Sequence, residues 1–206
     1  LAVDRADAAL ITNIAADHIG EFGVQDVEEL ADVKWVVSRA LDAGAPLVLN
    51  ADDPLLVARA SGTSASLVWF SPNATNPVLR AHLKDGGIGC TVNRGRLVVR
   101  HGAESEAVVP IKRIPICYGG AAKHNVAKAL AATALAYSLG FGVAAIARGL
   151  VGLSTEANPG RANLYQINGA RVLLDFAHNP HGLAALTDLA AGLQAERRLL
   201  VIGQAG

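Results

Sequence analysis

Asp175, His178 and Asn179 fall in the stretch Leu173-Leu174-Asp175-Phe176-Ala177-His178-Asn179-Pro180, where a short apolar run gives way to an acid, a histidine, an amide and a proline. An Ala/Leu-rich pattern resumes from Gly182 to Leu193. The order reads as a buried strand, a polar turn and a helix that packs back on a sheet. Open α/β sheets bind ligands beyond the carboxyl ends of their strands, so polar groups placed there can form a site. An Asx-type cap of the next helix is the plainer alternative.

Other reactive groups recur at similar places. Thr12 and Asn13 end an apolar run from Ala8 to Ile14, and Asp17-His18 follow in a loop. That pair reads either as a metal or phosphate site or as two ordinary loop residues. Lys34 lies on a stripe with Val27, Leu30, Val37 and Leu41 at helical spacing. A lysine there either snorkels to water or offers a neutral amine that takes up carbon dioxide. The resulting carbamate is a two-oxygen anion suited to a hard cation such as Mg²⁺. Asn50-Ala51-Asp52-Asp53-Pro54 and Lys123-His124-Asn125 read as helix caps or as further strand-end and helix-start sites. Arg161, after Pro159-Gly160, reads as a hinge residue.

The elements that would hold these groups follow from the pattern. Asp26 with Glu29 three residues on resembles a capping box, opening a helix that Gly44 stops. Strands are expected at Pro46–Asn50 and Ser66–Phe70, with a short helix over Leu55–Ala60 between them. From Asn73 to Pro115 the texture changes. Alternation in Val78-Leu79-Arg80-Ala81-His82-Leu83, a turn at Asp85-Gly86-Gly87 and a strand at Arg96–Arg100 suggest a small antiparallel meander. Lys123–Leu139 and Val143–Leu150 read as helices. Ser154 to Gly160 reads as a hinge, and residues 170–203 as a parallel β-α-β unit.

The chain has 206 residues, 51% apolar and 17% charged, so it can bury a core and is not disordered. Aromatics are 4%, which leaves the core to Ala, Val, Leu and Ile. A net charge of zero offers no basic patch for nucleic acid and no polybasic segment for an acidic membrane. No apolar run approaches the roughly 18 residues that cross a bilayer. Cys90 and Cys117 form no CxxC pair, so a reducing cytoplasm is the expected location. The chain has no methionine and ends at Gly203-Gln204-Ala205-Gly206 just after the apolar run Leu199–Ile202, which looks like a strand lacking its helix. A fragment of a longer protein is therefore expected.

Six short motifs come in one order: Thr12-Asn13-Ile14-Ala15-Ala16-Asp17-His18, Val33-Lys34, Leu49-Asn50-Ala51-Asp52-Asp53-Pro54, His124-Asn125, Pro159-Gly160-Arg161, and Asp175-Phe176-Ala177-His178-Asn179-Pro180. That order and spacing resemble the Mur ligase superfamily of ATP-dependent amide-bond-forming ligases. The resemblance covers nearly the whole chain except the segment around residues 73–115. The runs Val27 to Val37 and Asn158 to Leu164 look most like the carboxy-terminal, Mur-ligase-like module of the cyanophycin synthetases. The resemblance implies an α/β fold. Residues 1–153 would form a P-loop-type central ATPase domain with its small meander, and residues 154–206 the start of a Rossmann-like carboxy-terminal domain.

It also implies a reaction. A carboxylate of a small-molecule or peptide substrate is phosphorylated by ATP, and an amino acid attacks the acyl phosphate. The implied cofactors are ATP and Mg²⁺, with no nucleic acid or membrane partner and homo-oligomerisation left open. By position, His18 would ligate Mg²⁺, and Lys34, carbamylated, would support the metal. Asn125 would hold adenine, Arg161 the ATP phosphates and Asp175 the ribose hydroxyls. His178 and Asn179 would line the cleft near the incoming amino acid. His18, Lys34 and Arg161 form the implied catalytic set.

Two departures stand out. No Gly-Lys-Ser or Gly-Lys-Thr phosphate loop occurs in the chain, and Lys128 stands where the family usually carries a second Asn. The fragment is therefore expected to be inactive alone. The alternatives are a degenerate nucleotide- or partner-binding module, and a ligase acting on a peptidoglycan precursor or on folate.

Overall fold

Leu47 and Leu49 of strand β2 (Pro46–Asn50) face one side of a sheet and Val48 faces the other, and that alternation divides the molecule into layers. A computed structural model describes residues 4–17 and 19–203. Six strands lie side by side in chain order: β1 (Ala9–Ile11), β2, β3 (Ser66–Ser71), β4 (Ile88–Asn93), β5 (Arg96–His101) and β6 (Glu104–Pro110). The first four run parallel, with Leu10 opposite Val48 and Val48 opposite Val68. The last three are antiparallel neighbours.

Helices α1 (Val27–Trp35), α2 (Pro54–Ala60) and α3 (Pro77–Lys84) are the crossovers between the parallel strands. Leu56 of α2 and Leu79 and Leu83 of α3 bury against Leu47, Leu49 and Trp69. Helices α4 (Lys123–Ser138) and α5 (Val143–Gly152) cover the other face. There Val126, Leu130, Ile146 and Leu150 meet Val48, Val68, Phe70, Leu97 and Val99. Each such apolar side chain contributes about 1.5–3 kcal/mol when fully buried.

Local chemistry starts each crossover helix. Asp26 accepts the Glu29 N–H at 2.9 Å, while the Glu29 carboxylate takes the Gln25 N–H at 2.7 Å. The helix over the Lys34 stripe is α-helical only to Trp35 and tightens to a 3₁₀ turn over Val36–Ala40. Arg59 ties α2 back to α1 through Glu28 at 2.9 Å and Asp32 at 2.8 Å.

Three expectations need correction. Residues 78–83 are not a strand but most of α3. Asn76 caps that helix by accepting the Leu79 N–H at 3.0 Å, Pro77 sits in its first turn, and Leu79 and Leu83 bury at helical spacing. Gly89 lets α3 close on the sheet, because a Cβ there would meet Leu79 Cδ1 at 2.5 Å and Trp69 O at 3.0 Å. The meander is therefore β4-β5-β6, and it extends the parallel sheet.

Residues 170–203 do not form a parallel β-α-β unit. Strand β8 (Ala170–Leu174) pairs antiparallel with β7 (Asn163–Ile167) across an Asn168-Gly169 turn, where φ is positive at both residues. Helix α6 (Pro180–Gly192) follows, and Leu199–Ile202 forms no strand. Strand β8 is also not buried: Val172 is 41% and Leu174 51% exposed. Ala122, Ala162 and Leu189 form a third, small core against Tyr118 and Leu173, joining this segment to the foot of α4.

Candidate functional site

The carboxyl ends of β1 and β2 lie on one edge of the sheet. There Asn50 donates its side-chain N–H to Thr12 O at 3.1 Å and accepts the Asp52 N–H at 2.9 Å. Buried Asp53 fixes the chain leaving β1. Its carboxylate takes the Ile14 N–H at 2.6 Å and caps α2 through the N–H groups of Leu55 and Leu56. Helix α4 begins at the same edge without a side-chain cap, so the positive end of its dipole faces this region.

Between this edge, the start of α4 and the turn after β8 lies a cavity of about 550 Å³. Lys34, Asn125, Arg161, Asp175, His178 and Asn179 all line it, together with Thr12, Asn13, Asp17 and Asn50. Six residues singled out from four separate stretches of sequence thus meet in one cleft. The His18 assignment falls outside the described residues.

Arg161 rides on a pinned loop. Asn163, 2% exposed, accepts the N–H groups of Gly160 and Arg161 and donates to Thr155 O. Ala162 holds φ at 52°, with its N–H given to Asp175 at 2.7 Å and its carbonyl taking the Tyr118 hydroxyl at 2.5 Å. The Arg161 guanidinium then lies 5.6 Å over the Phe176 ring, a cation–π distance.

His178 and Asn179 differ in their commitments. His178 Nδ1 lies 3.0 Å from Phe176 O, and its Nε2 lies 3.7 Å from the Asp17 carboxylate, across the cleft mouth. Asn179 caps α6, its Oδ1 taking the Gly182 N–H at 2.7 Å, so the plainer cap role is met by a residue that also lines the cleft. Asn125 is buried and donates to Ile116 O at 2.7 Å.

The cleft is cationic although the chain is neutral. Lys34, Lys123, Lys128 and Arg161 line it against two carboxylates, Asp17 and Asp175. Desolvation lowers the pKa of His124, Lys128 lowers it further, and Asp175 opposes both. Lys128 stays exposed at the rim, yet desolvation against the cleft wall lowers its pKa, with Asp175 pulling it up and Arg161 pushing it down. Such a surplus of cations in a recess attracts a polyanion.

Sequence reasoning did not single out Phe176 or His181, which also line the cleft. Phe176 sits inside the motif itself. His181, one residue past the Asn-Pro helix start, was open to the same strand-end reasoning.

A family model for the Mur ligase middle domain matches residues 2–136. Cyanophycin synthetase of Synechocystis sp. is 36% identical over 199 residues, covering 96% of this chain and 23% of that protein. UDP-N-acetylmuramoyl-tripeptide–D-alanyl-D-alanine ligase of Escherichia coli is 30% identical over 204 residues, covering 98% of this chain and 42% of that protein. The crystal structure of MurF from Acinetobacter baumannii matches with a TM-score of 0.67 at 21% identity, covering 92% of this chain and 38% of that one, a likeness of fold. The chain spans about a quarter of the length of the cyanophycin synthetases it matches.

Proposed function

The chain belongs to the Mur ligase family, and from that premise we propose that it is the ATP-using module of a carboxylate–amine ligase of the cyanophycin synthetase type. The observation that carries the reading is the convergence of Lys34, Asn125, Arg161, Asp175, His178 and Asn179 on one cation-rich cleft. Residues 1–153 are the central domain in this reading and residues 154–206 the start of the next, with the cleft between them. The higher identity, 36% against 30%, favours a cyanophycin synthetase-type acceptor over a peptidoglycan precursor.

The donor set fits both implied groups. Four fixed cations suit a polyphosphate, and the oxygens of Thr12, Asn13 and Asp17, in the same cleft as Lys34, suit a hard cation. His18 and carbamylated Lys34 would hold Mg²⁺, which when bound neutralises charge on the transferred phosphoryl group.

In the proposed reaction a carboxylate oxygen of the acceptor attacks the γ-phosphorus of ATP, and the bond to the β-phosphate oxygen breaks to release ADP. The amine of the incoming amino acid then attacks the acyl carbon. Phosphate leaves with the former carboxylate oxygen, the nitrogen loses a proton, and an amide remains. Arg161, whose backbone N–H is held by Asn163 and whose guanidinium lies over the Phe176 ring, meets the phosphates. Asp175 keeps Oδ1 for the ribose hydroxyls, Asn125 meets the base, and His178 and the Asn179 amide border the space for the amino acid. The cytoplasm is the proposed location, and no helix among the described residues is long and apolar enough to cross a membrane.

A second reading, a nucleotide-binding module without turnover, is motivated by Lys128 standing where the family carries an amide. Phosphate release by the full-length protein, dependent on both ATP and an amino acid, separates the two.

A further inference from the structure

Arg94 and Arg96 flank Gly95 in the turn that joins β4 to β5, where φ is positive at Arg94 and Gly95. The Ile111 N–H donates to Gly95 O at 2.9 Å, and Arg96 stands opposite Pro110 in the β5–β6 register. Lys112 and Arg113 follow Ile111 at once. Four cations thus leave the backbone within two residues of one hydrogen bond. All four are exposed, and none makes an ion pair or side-chain hydrogen bond with another described residue. The frame beneath them is fixed, because Leu97, Val109, Ile111 and Ile114 are buried. From Gly86 to Thr155 the only carboxylates are Glu104 and Glu106. These pair with His101 and Val99, about 10 Å or more along β5 from Arg96. Like charges gathered in this way repel one another and stabilise nothing in the fold, so they fit an anion brought from outside.

The cluster shares an edge with the cleft. Strand β4 runs parallel to its neighbours back to β1, so its carboxyl end lies on the sheet edge where β1 and β2 end. Arg113 is three residues before Ile116, whose carbonyl accepts the amide of cleft-lining Asn125 at 2.7 Å. Three residues span at most about 11 Å, so the cluster begins within that distance of the cleft wall's backbone. An extended peptide covers the wall and the cluster in roughly five to seven residues.

Three of the four cations are arginines, whose planar forks match a carboxylate or a phosphate. No Phe, Trp or Tyr occurs between Ser71 and Cys117, so the bases of a nucleic-acid strand would find no stacking platform. No large apolar side chain between Lys34 and Ser138 is exposed, so a lipid surface would find no apolar anchor. We propose that Arg94, Arg96, Lys112 and Arg113 dock the distal carboxylates of an acidic peptide acceptor whose reacting carboxylate lies in the cleft. The proposal rests on the ligase reading above and deepens it, since it makes the acceptor a chain with several acids.

The test is equilibrium titration of the full-length protein, at low salt, with fluorescein-labelled dodeca-L-aspartate, tri-L-aspartate and dodecathymidylate. The wild type is compared with a variant combining Arg94→Gln, Arg96→Gln, Lys112→Gln and Arg113→Gln. The wild type should bind the longer peptide about tenfold more tightly than the shorter, since four weak exposed ion pairs together supply roughly that factor. The combined variant should lose this length preference and keep its ATP affinity. Arg39→Gln with Lys84→Gln removes two exposed cations that precede the amino ends of β2 and β4, on the opposite edge, and should bind like the wild type. Every substituted position is exposed, so melting curves should match the wild type. Equal binding of the two peptides by the wild type overturns the proposal, and so does a length preference that survives in the combined variant. Dodecathymidylate bound as tightly as the long peptide, and lost in the combined variant, assigns the patch to nucleic acid and overturns it too. Absence of phosphate release with every acceptor and amino acid overturns the ligase reading instead, a readout separate from these titrations.

Discussion

The Asp175 carboxylate accepts the backbone N–H of Ala162 at 2.7 Å, so the residue proposed for the ribose also holds the residue that follows Arg161. One oxygen is committed to Ala162, and the residue also lines the cleft. Asp175→Ala should therefore weaken ATP binding at least about tenfold and also cost about 1–3 kcal/mol of stability. Asp175→Asn keeps an acceptor for Ala162 and should melt near the wild type while still losing ATP affinity. Nucleotide titration and melting curves on both variants check this. An Asn variant with full ATP affinity would reduce Asp175 to a loop clamp.

Lys34 is half-buried in the last turn of α1 and lines the cleft. In the full-length enzyme Lys34→Ala should abolish turnover while changing stability by no more than about 0.5 kcal/mol, as for most surface substitutions. Excess bicarbonate should not restore activity, because the alanine has no amine to carbamylate. Near-normal turnover would make Lys34 a snorkelling residue.

Asp53 gathers three N–H groups, those of Ile14, Leu55 and Leu56, at 7% exposure. Asp53→Ala removes a helix cap and orphans the Ile14 donor, and should cost about 2–4 kcal/mol in denaturant unfolding. A shift in the unfolding midpoint worth under about 0.5 kcal/mol would show that water replaces the carboxylate without loss.

His82 packs beside Gly87, with Nε2 3.1 Å from Ile88 O, and desolvation lowers its pKa below the ordinary 6.5. The folded state therefore binds this proton less readily than the unfolded state. The contribution of His82 is complete above pH 6.5 and is lost as pH falls from there toward the folded pKa. Unfolding free energies of wild type and His82→Gln, compared from about pH 7.5 to about pH 5.5, should show the wild type losing more stability on acidification. Parallel curves would contradict the assignment.

Much of the cleft was legible because strand ends and helix starts carry their polar residues in local sequence. Asp53-Pro54, Asn76-Pro77 and Asn179-Pro180 each become a capped helix start. The same signal at Asn76-Pro77 was outweighed by alternation in residues 78–83, a stretch whose Leu79 and Leu83 equally fit one helical face. Asn168-Gly169, a strong hairpin signal, lay between two short apolar runs and fixed β7 against β8. The apolar run Leu199–Ile202 reads as a strand by composition, but no described strand pairs with it, and Leu199 stays 85% exposed. Which acceptor the cleft serves is not written locally, since specificity depends on groups brought together from distant segments. Asp17 facing His178 is one such contact.

The central claim is that this cleft couples ATP cleavage to amide formation. Phosphate release by the full-length protein, measured with ATP and Mg²⁺ across a panel of carboxylate acceptors and amino acids, tests it most directly. The account predicts release that requires one acceptor and one amino acid together, and that is lost in Lys34→Ala. Release independent of any amino acid, or nucleotide binding with no release under any pairing, would contradict it.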